Sequence, residues 1–109
     1  MVKDKKIEKI IGEIVERIRK EYQPEKIILF GSYAYGEPHE ESDIDLFIIK
    51  DTDKRRIDRF VEVKKLVYGP NRKNSVSPLI YTNQELQERL KIKDFFVCEI
   101  LEKGRVLYG

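Results

Sequence analysis

Apolar positions along this chain fall into two rhythms. From Asp4 to about Tyr22, Ile7, Ile10, Ile11, Ile14, Val15 and Ile18 recur at three- and four-residue spacing, the stripe of an amphipathic helix. Glu13 with Arg17 and Glu16 with Lys20 stand at i, i+4 on its outer side, where opposite charges support a helix. Pro24 ends it. The rhythm then changes to short continuous apolar runs: Ile27 to Phe30 predicts a first strand, and Leu46 to Ile49 continues a second one that begins at Asp43-Ile44-Asp45. Between them, Ser32 to Tyr35 begins a short helix and Gly36 to Ser42 is a polar loop. Asp51 to Arg56 is a charged turn, and Ile57, Phe60, Val61, Lys64 and Val67 carry a helix to about Tyr68. Gly69-Pro70-Asn71 breaks it.

Ser75 to Tyr81 predicts a third strand, in which Pro78 removes a ladder donor and so argues for an edge position or a bulge. Thr82-Asn83-Gln84-Glu85 fits a capping box for a helix through Leu86 and Leu90. Asp94 caps a last helix, Phe95 to Lys103, ended by Gly104, and Arg105 to Tyr108 adds a short edge strand. Alternating strands and helices without repeats or long linkers predict a mixed α/β (α+β) fold, a small mixed β-sheet with helices packed over it. At 109 residues the expectation is one domain, 1–109, with a single modest core.

Composition narrows the function classes. Charged residues make up 39%, but 22 Lys and Arg nearly balance 20 Asp and Glu. The net charge of +2 gives no case for nucleic-acid binding, which shows a clustered basic field. A lone Cys98 excludes an intramolecular disulfide and argues against a cysteine metal site; between Val97 and Ile100 it is expected as a buried, inert thiol. His39, equally alone beside Pro38, is expected on the surface. No leader or membrane-length apolar run is present, so a cytoplasmic protein is expected.

The chemistry gathers between Ile27 and Lys50. Asp43 and Asp45, two apart in a strand, project from the same side. Neighbouring carboxylates repel unless solvated, protonated or bridged by a cation. Mg²⁺ suits such a pair, since it takes oxygen ligands and shares its shell with substrate phosphates. Upstream, Gly31 lets the backbone turn and approach a ligand, and Ser32 stands where a helix would begin, with amide donors suited to phosphate. Metal at one end and phosphate at the other outline a nucleotide site.

Strand, Gly31-Ser32, ten residues, Asp43-x-Asp45, strand resembles the signature of the DNA polymerase β nucleotidyltransferase superfamily. The short chain and the wording GSYAYGEPHEESDIDLFI look like its minimal nucleotidyltransferases. The resemblance implies transfer of AMP from ATP, or of another nucleoside monophosphate from its NTP, to an acceptor hydroxyl. Asp43 and Asp45 would be the catalytic, metal-holding pair for Mg²⁺, and Gly31 and Ser32 would bind the nucleotide. Arg72 and Lys73 could screen phosphate charge. The family's third acid would stand at Ser77, and a serine there puts turnover in doubt while sparing nucleotide binding. Small members often occur with a helical HEPN-type toxin partner, which implies a protein acceptor, an antitoxin-like role and a homo- or hetero-oligomer. The alternative is a non-catalytic module that binds nucleotide or partner.

Overall fold

The sheet decides where everything else lies. The computed structural model describes residues 5–39, 42–68 and 75–109. Among them the elements run α1 (Lys5–Tyr22), β1 (Lys26–Phe30), α2 (Ser32–Tyr35), β2 (Ile44–Ile49), α3 (Arg56–Val67), β3 (Val76–Tyr81), α4 (Asn83–Lys91), α5 (Phe95–Lys103) and β4 (Arg105–Tyr108). The four strands form one mixed sheet in the order β3-β2-β1-β4. β1 is antiparallel to both β2 and β4, while β2 and β3 are parallel. The expected mixed sheet with helices over it is what forms. The break at Gly69-Pro70-Asn71 lies outside the described residues.

Strand alternation sorts the side chains onto two faces. Ile27, Leu29, Ile44, Leu46, Ile48, Val76 and Ile80 join Ile11, Ile14 and Ile18 of α1 and Val63 and Val67 of α3 in one core. The opposite face sets Ile28, Phe30, Phe47, Ile49 and Tyr81 against Leu86 of α4 and Val97 and Ile100 of α5. Each fully buried aliphatic side chain contributes about 2 kcal/mol through area removed from water, which is why the α1 stripe is legible. On its outer side, Glu16 pairs with Arg19, one residue nearer than the expected Lys20.

Helix α3 corrects the pattern reading. Its expected apolar positions Ile57, Phe60 and Val61 are exposed, and the buried face is Arg59, Val63 and Val67. Arg59, only 6% exposed, earns its place by hydrogen bonds. Its guanidinium donates to the Lys54 carbonyl at 2.8 Å, to the Ile80 carbonyl at 3.3 Å and to Glu85 Oε1 at 2.7 Å. Glu85 completes the expected capping box: Thr82 Oγ1 accepts the Glu85 N–H at 3.1 Å, and Glu85 Oε1 accepts the Thr82 N–H at 2.8 Å. Burial works to raise the Glu85 pKa, but the Arg59 and Thr82 hydrogen bonds outweigh it and hold the carboxyl below its usual value. The Arg59–Glu85 pair thus joins α3, β3 and α4. Asp94 caps α5 as expected, accepting the Val97 N–H at 3.0 Å. Cys98 is half-buried rather than buried, because Val97 and Ile100 take the positions facing the sheet.

β3 lies at an edge, as Pro78 requires. The Ser75 carbonyl accepts the Ile44 N–H at 2.8 Å and the Tyr81 carbonyl accepts the Lys50 N–H at 3.0 Å, so odd-numbered residues face β2. Even-numbered ones turn outward. There the Val76 carbonyl accepts from Lys64 Nζ at 2.8 Å and the Ile80 carbonyl from Arg59, while Pro78 has no N–H to offer.

Candidate nucleotide site

The end of β1 and the start of β2 meet at one end of the sheet. Phe30, the last residue of β1, is the cross-strand partner of Asp45. The chain must therefore turn immediately beside this carboxylate, and it does so at Gly31, whose φ of 73° is a conformation glycine adopts without strain. The Gly31 carbonyl accepts the N–H groups of Ala34 and Tyr35, both at 3.0 Å, which closes the single turn of α2. A Cβ on Gly31 would overlap Asp45 Oδ2 and lie 3.0 Å from Asp45 Cγ. Only a residue without a side chain lets the turn approach the aspartate this closely.

Asp43 and Asp45 come together as expected. Asp45 belongs to β2 and shares the α4/α5 face with Phe30 and Phe47; Asp43 stands one residue before the strand and is exposed. Burial, and then the neighbouring Asp43 charge, push the Asp45 carboxyl up to about 6. Ser75, which the sequence reading did not single out, donates its hydroxyl to Asp43 Oδ1. Ser77 is the parallel-strand partner of Asp45, so the position where the resemblance expects a third acid lies beside the pair and holds a hydroxyl. Among the described residues no third His, Cys, Asp or Glu joins them.

Gly31 and Ser32 also stand where expected, with one difference. Helix α2 has only four residues, too few for a substantial dipole, so backbone amides and the Ser32 hydroxyl are what the turn can offer an anion. Arg72 and Lys73 lie outside the described residues. His39 is exposed. Three further residues border the site from elements that sequence reading left out of it. Tyr35 ends α2, and its hydroxyl pKa is raised by burial and by the carboxylates of Glu99 and Asp45, against a backbone hydrogen bond at Gly31. Glu99 and Phe96 come from α5, and the Phe96 ring packs edge-to-face on Phe30 with centroids 5.7 Å apart.

The donor set fits a hard divalent cation. Burial first, and repulsion from Asp43 second, make the charged Asp45 costly, and a bridging cation offsets that cost. With a backbone turn pressed against one of them, phosphate and metal would share a few ångströms of space.

The fold has the architecture of the nucleotidyltransferases. It matches the crystal structure of a "putative nucleotidyltransferase" from Sulfolobus solfataricus with a TM-score of 0.57 and 25% identity, over 73% of this chain and 70% of that one. The chain belongs to the family described as the nucleotidyltransferase domain, whose family model matches residues 11–108. Two relatives from Methanocaldococcus jannaschii carry the name "Putative protein adenylyltransferase". One is 41% identical over 103 residues, spanning 93% of this chain and 97% of its own length. The other is 33% identical over 114 residues, spanning 96% of this chain and 74% of its own. Among the described residues no helix is long and apolar enough to cross a membrane.

Proposed function

We propose that this chain is an adenylyltransferase that moves AMP from Mg²⁺-ATP to a hydroxyl on a protein partner. The observation that carries the reading is the Gly31 turn closed against Asp45, with Asp43 two residues away. The adenylyl group and the protein acceptor are supported by the names of the two relatives. In the reaction the acceptor oxygen bonds to the α-phosphorus, the bond from that phosphorus to the bridging oxygen breaks, and pyrophosphate leaves. Asp43 and Asp45 would hold Mg²⁺, which when bound neutralises phosphate charge. The Gly31 turn and Ser32 would orient the β- and γ-phosphates, and positioning of this kind dominates phosphoryl chemistry. The departing acceptor proton needs a base, and Ser77 cannot serve as one at neutral pH. A helical HEPN-type protein is the acceptor the family resemblance suggests, and a cytoplasmic setting goes with the use of ATP.

The Asp45–Ser77 pairing favours a second reading, a module that binds nucleotide or partner without turnover. Incubation with Mg²⁺, a HEPN-type partner and ATP labelled at either the α- or the γ-phosphate separates the two. Transfer of the α-label alone, with pyrophosphate released, supports the enzyme. Saturable Mg²⁺-ATP binding without transfer supports the module. Absence of both defeats the nucleotide reading altogether.

A further inference from the structure

Phe96 is half in water, 49% exposed. A single exposed apolar residue means little; its position is what matters. Phe96 sits against Phe30 with an interplanar angle of 83°, and Phe30 is the cross-strand partner of Asp45. The ring therefore stands one side chain removed from the carboxylate pair, on the same face of the sheet. A second contact fixes the same face of α5 toward the site. Glu99, one helical turn after Phe96, faces Tyr35, which also feels Asp45. An edge-to-face pair occupies at most one face of either ring, and about half of Phe96 stays open to solvent and to a ligand.

We infer that Phe96 is the stacking platform for the nucleobase, with Phe30 beneath it fixing the ring. The inference rests on the nucleotide reading of Gly31, Asp43 and Asp45 and adds the subsite that reading lacked. A phosphate turn and a metal pair hold only the triphosphate, which every nucleotide shares. Binding a nucleoside triphosphate better than inorganic triphosphate needs contact with the sugar or the base. Every base has a π-face, so an aromatic ring supplies that contact without demanding a particular hydrogen-bond pattern. The nucleotide is preferred to an acceptor side chain because Phe96 packs on Phe30, which both pairs with Asp45 and leads directly into Gly31.

The test compares two probes by calorimetry, Mg²⁺-ATP and Mg²⁺-tripolyphosphate, the second having no base. Phe96→Ala should weaken ATP binding by about tenfold or more and leave tripolyphosphate unchanged. Phe96→Leu, which keeps apolar cover over Phe30, should lose the same factor, and Phe96→Trp should restore it. The chain has no tryptophan, so the fluorescence of Phe96→Trp reports on this position alone; ATP should perturb it and tripolyphosphate should not. If wild type binds both probes and Phe96→Leu binds ATP equally well, the platform is wrong while the nucleotide reading survives. Equal losses on both probes would mean that Phe96 merely supports Asp45, which also overturns it. Normal ATP binding with impaired transfer to a partner would give the ring to the acceptor instead. Wild type binding neither probe overturns the nucleotide reading and the platform with it.

Discussion

Replacing Asp45 by Asn should stabilise the metal-free protein, although it removes a proposed metal ligand. In the folded chain the carboxyl is pushed up to about 6 from an ordinary 3.8, by burial first and by Asp43 second. The fold therefore holds this proton more tightly than the unfolded chain does. Stability falls as pH rises from about 4 through about 6, and the whole penalty stands at pH 8. A shift of about two units corresponds to about 3 kcal/mol. Asp45 is only half-buried, and solvent screening reduces the expected penalty to about 1 to 2 kcal/mol. Asn keeps the shape and discards the charge. With a urea slope of about 2 kcal/mol per molar, the midpoint at pH 8 should rise by about 0.5 to 1 M. At pH 4.5 the gain should fall to about a third, and it should vanish below about 3.8, where Asp45 is protonated in the folded and unfolded chain alike. Added Mn²⁺ should reverse the order, stabilising wild type and leaving the variant unmoved. A variant no more stable than wild type at pH 8, or a gain undiminished at pH 4.5, would refute the reasoning.

Gly31→Ala should lose most Mg²⁺-ATP binding by calorimetry and destabilise the fold by about 1 to 3 kcal/mol, since the new methyl meets Asp45 at a positive φ. Ser77→Asp should tighten Mn²⁺ binding and raise AMP transfer followed by intact mass; unchanged Mn²⁺ affinity in a folded variant would separate Ser77 from the site. Without metal the same change should lower the urea midpoint, because a third carboxylate would crowd Asp45. Glu85→Ala should cost about 3 kcal/mol in urea, because it strands the buried Arg59 charge. Thr82→Ala, which loses only a cap, should cost about 1.

Local signals in the sequence were strong where local physics decides. The α1 stripe, the Thr82–Glu85 capping box, the Asp94 cap and the Pro78 edge all act within a few residues, and each is where the pattern placed it. Gly31 and the Asp43/Asp45 pair were legible for the same reason, since a turn and an alternating strand fix their neighbours directly. Strand order was not legible. Nothing in the runs at β1, β2 and β3 distinguishes an antiparallel partner from a parallel one, and the placement of Ser77 came from family likeness rather than periodicity. Exposed Ile57, Phe60 and Val61 misled, because a buried arginine with three acceptors outweighed the apolar pattern on α3. Phe96 and Glu99 escaped the site for another reason. They arrive from a helix some fifty residues further on, whose only local signature is that of a core helix.

The blunted edge at β3 limits how copies of the chain can associate. An open sheet with two receptive edges can pair head to tail and extend without end, as filaments do. Here one edge has its outward carbonyls at Val76 and Ile80 already engaged and a proline between them. The other edge, β4, has a register shift against β1 between Ile27 and Ile28 but neither a proline nor a described side chain on its outward carbonyls. Head-to-tail growth needs both edges, so strand pairing between copies can only join β4 to β4. That contact is two-fold and self-limiting: it consumes the receptive edge of both partners and ends at a closed pair. At the described sheet edges, backbone pairing between copies therefore stops at two chains.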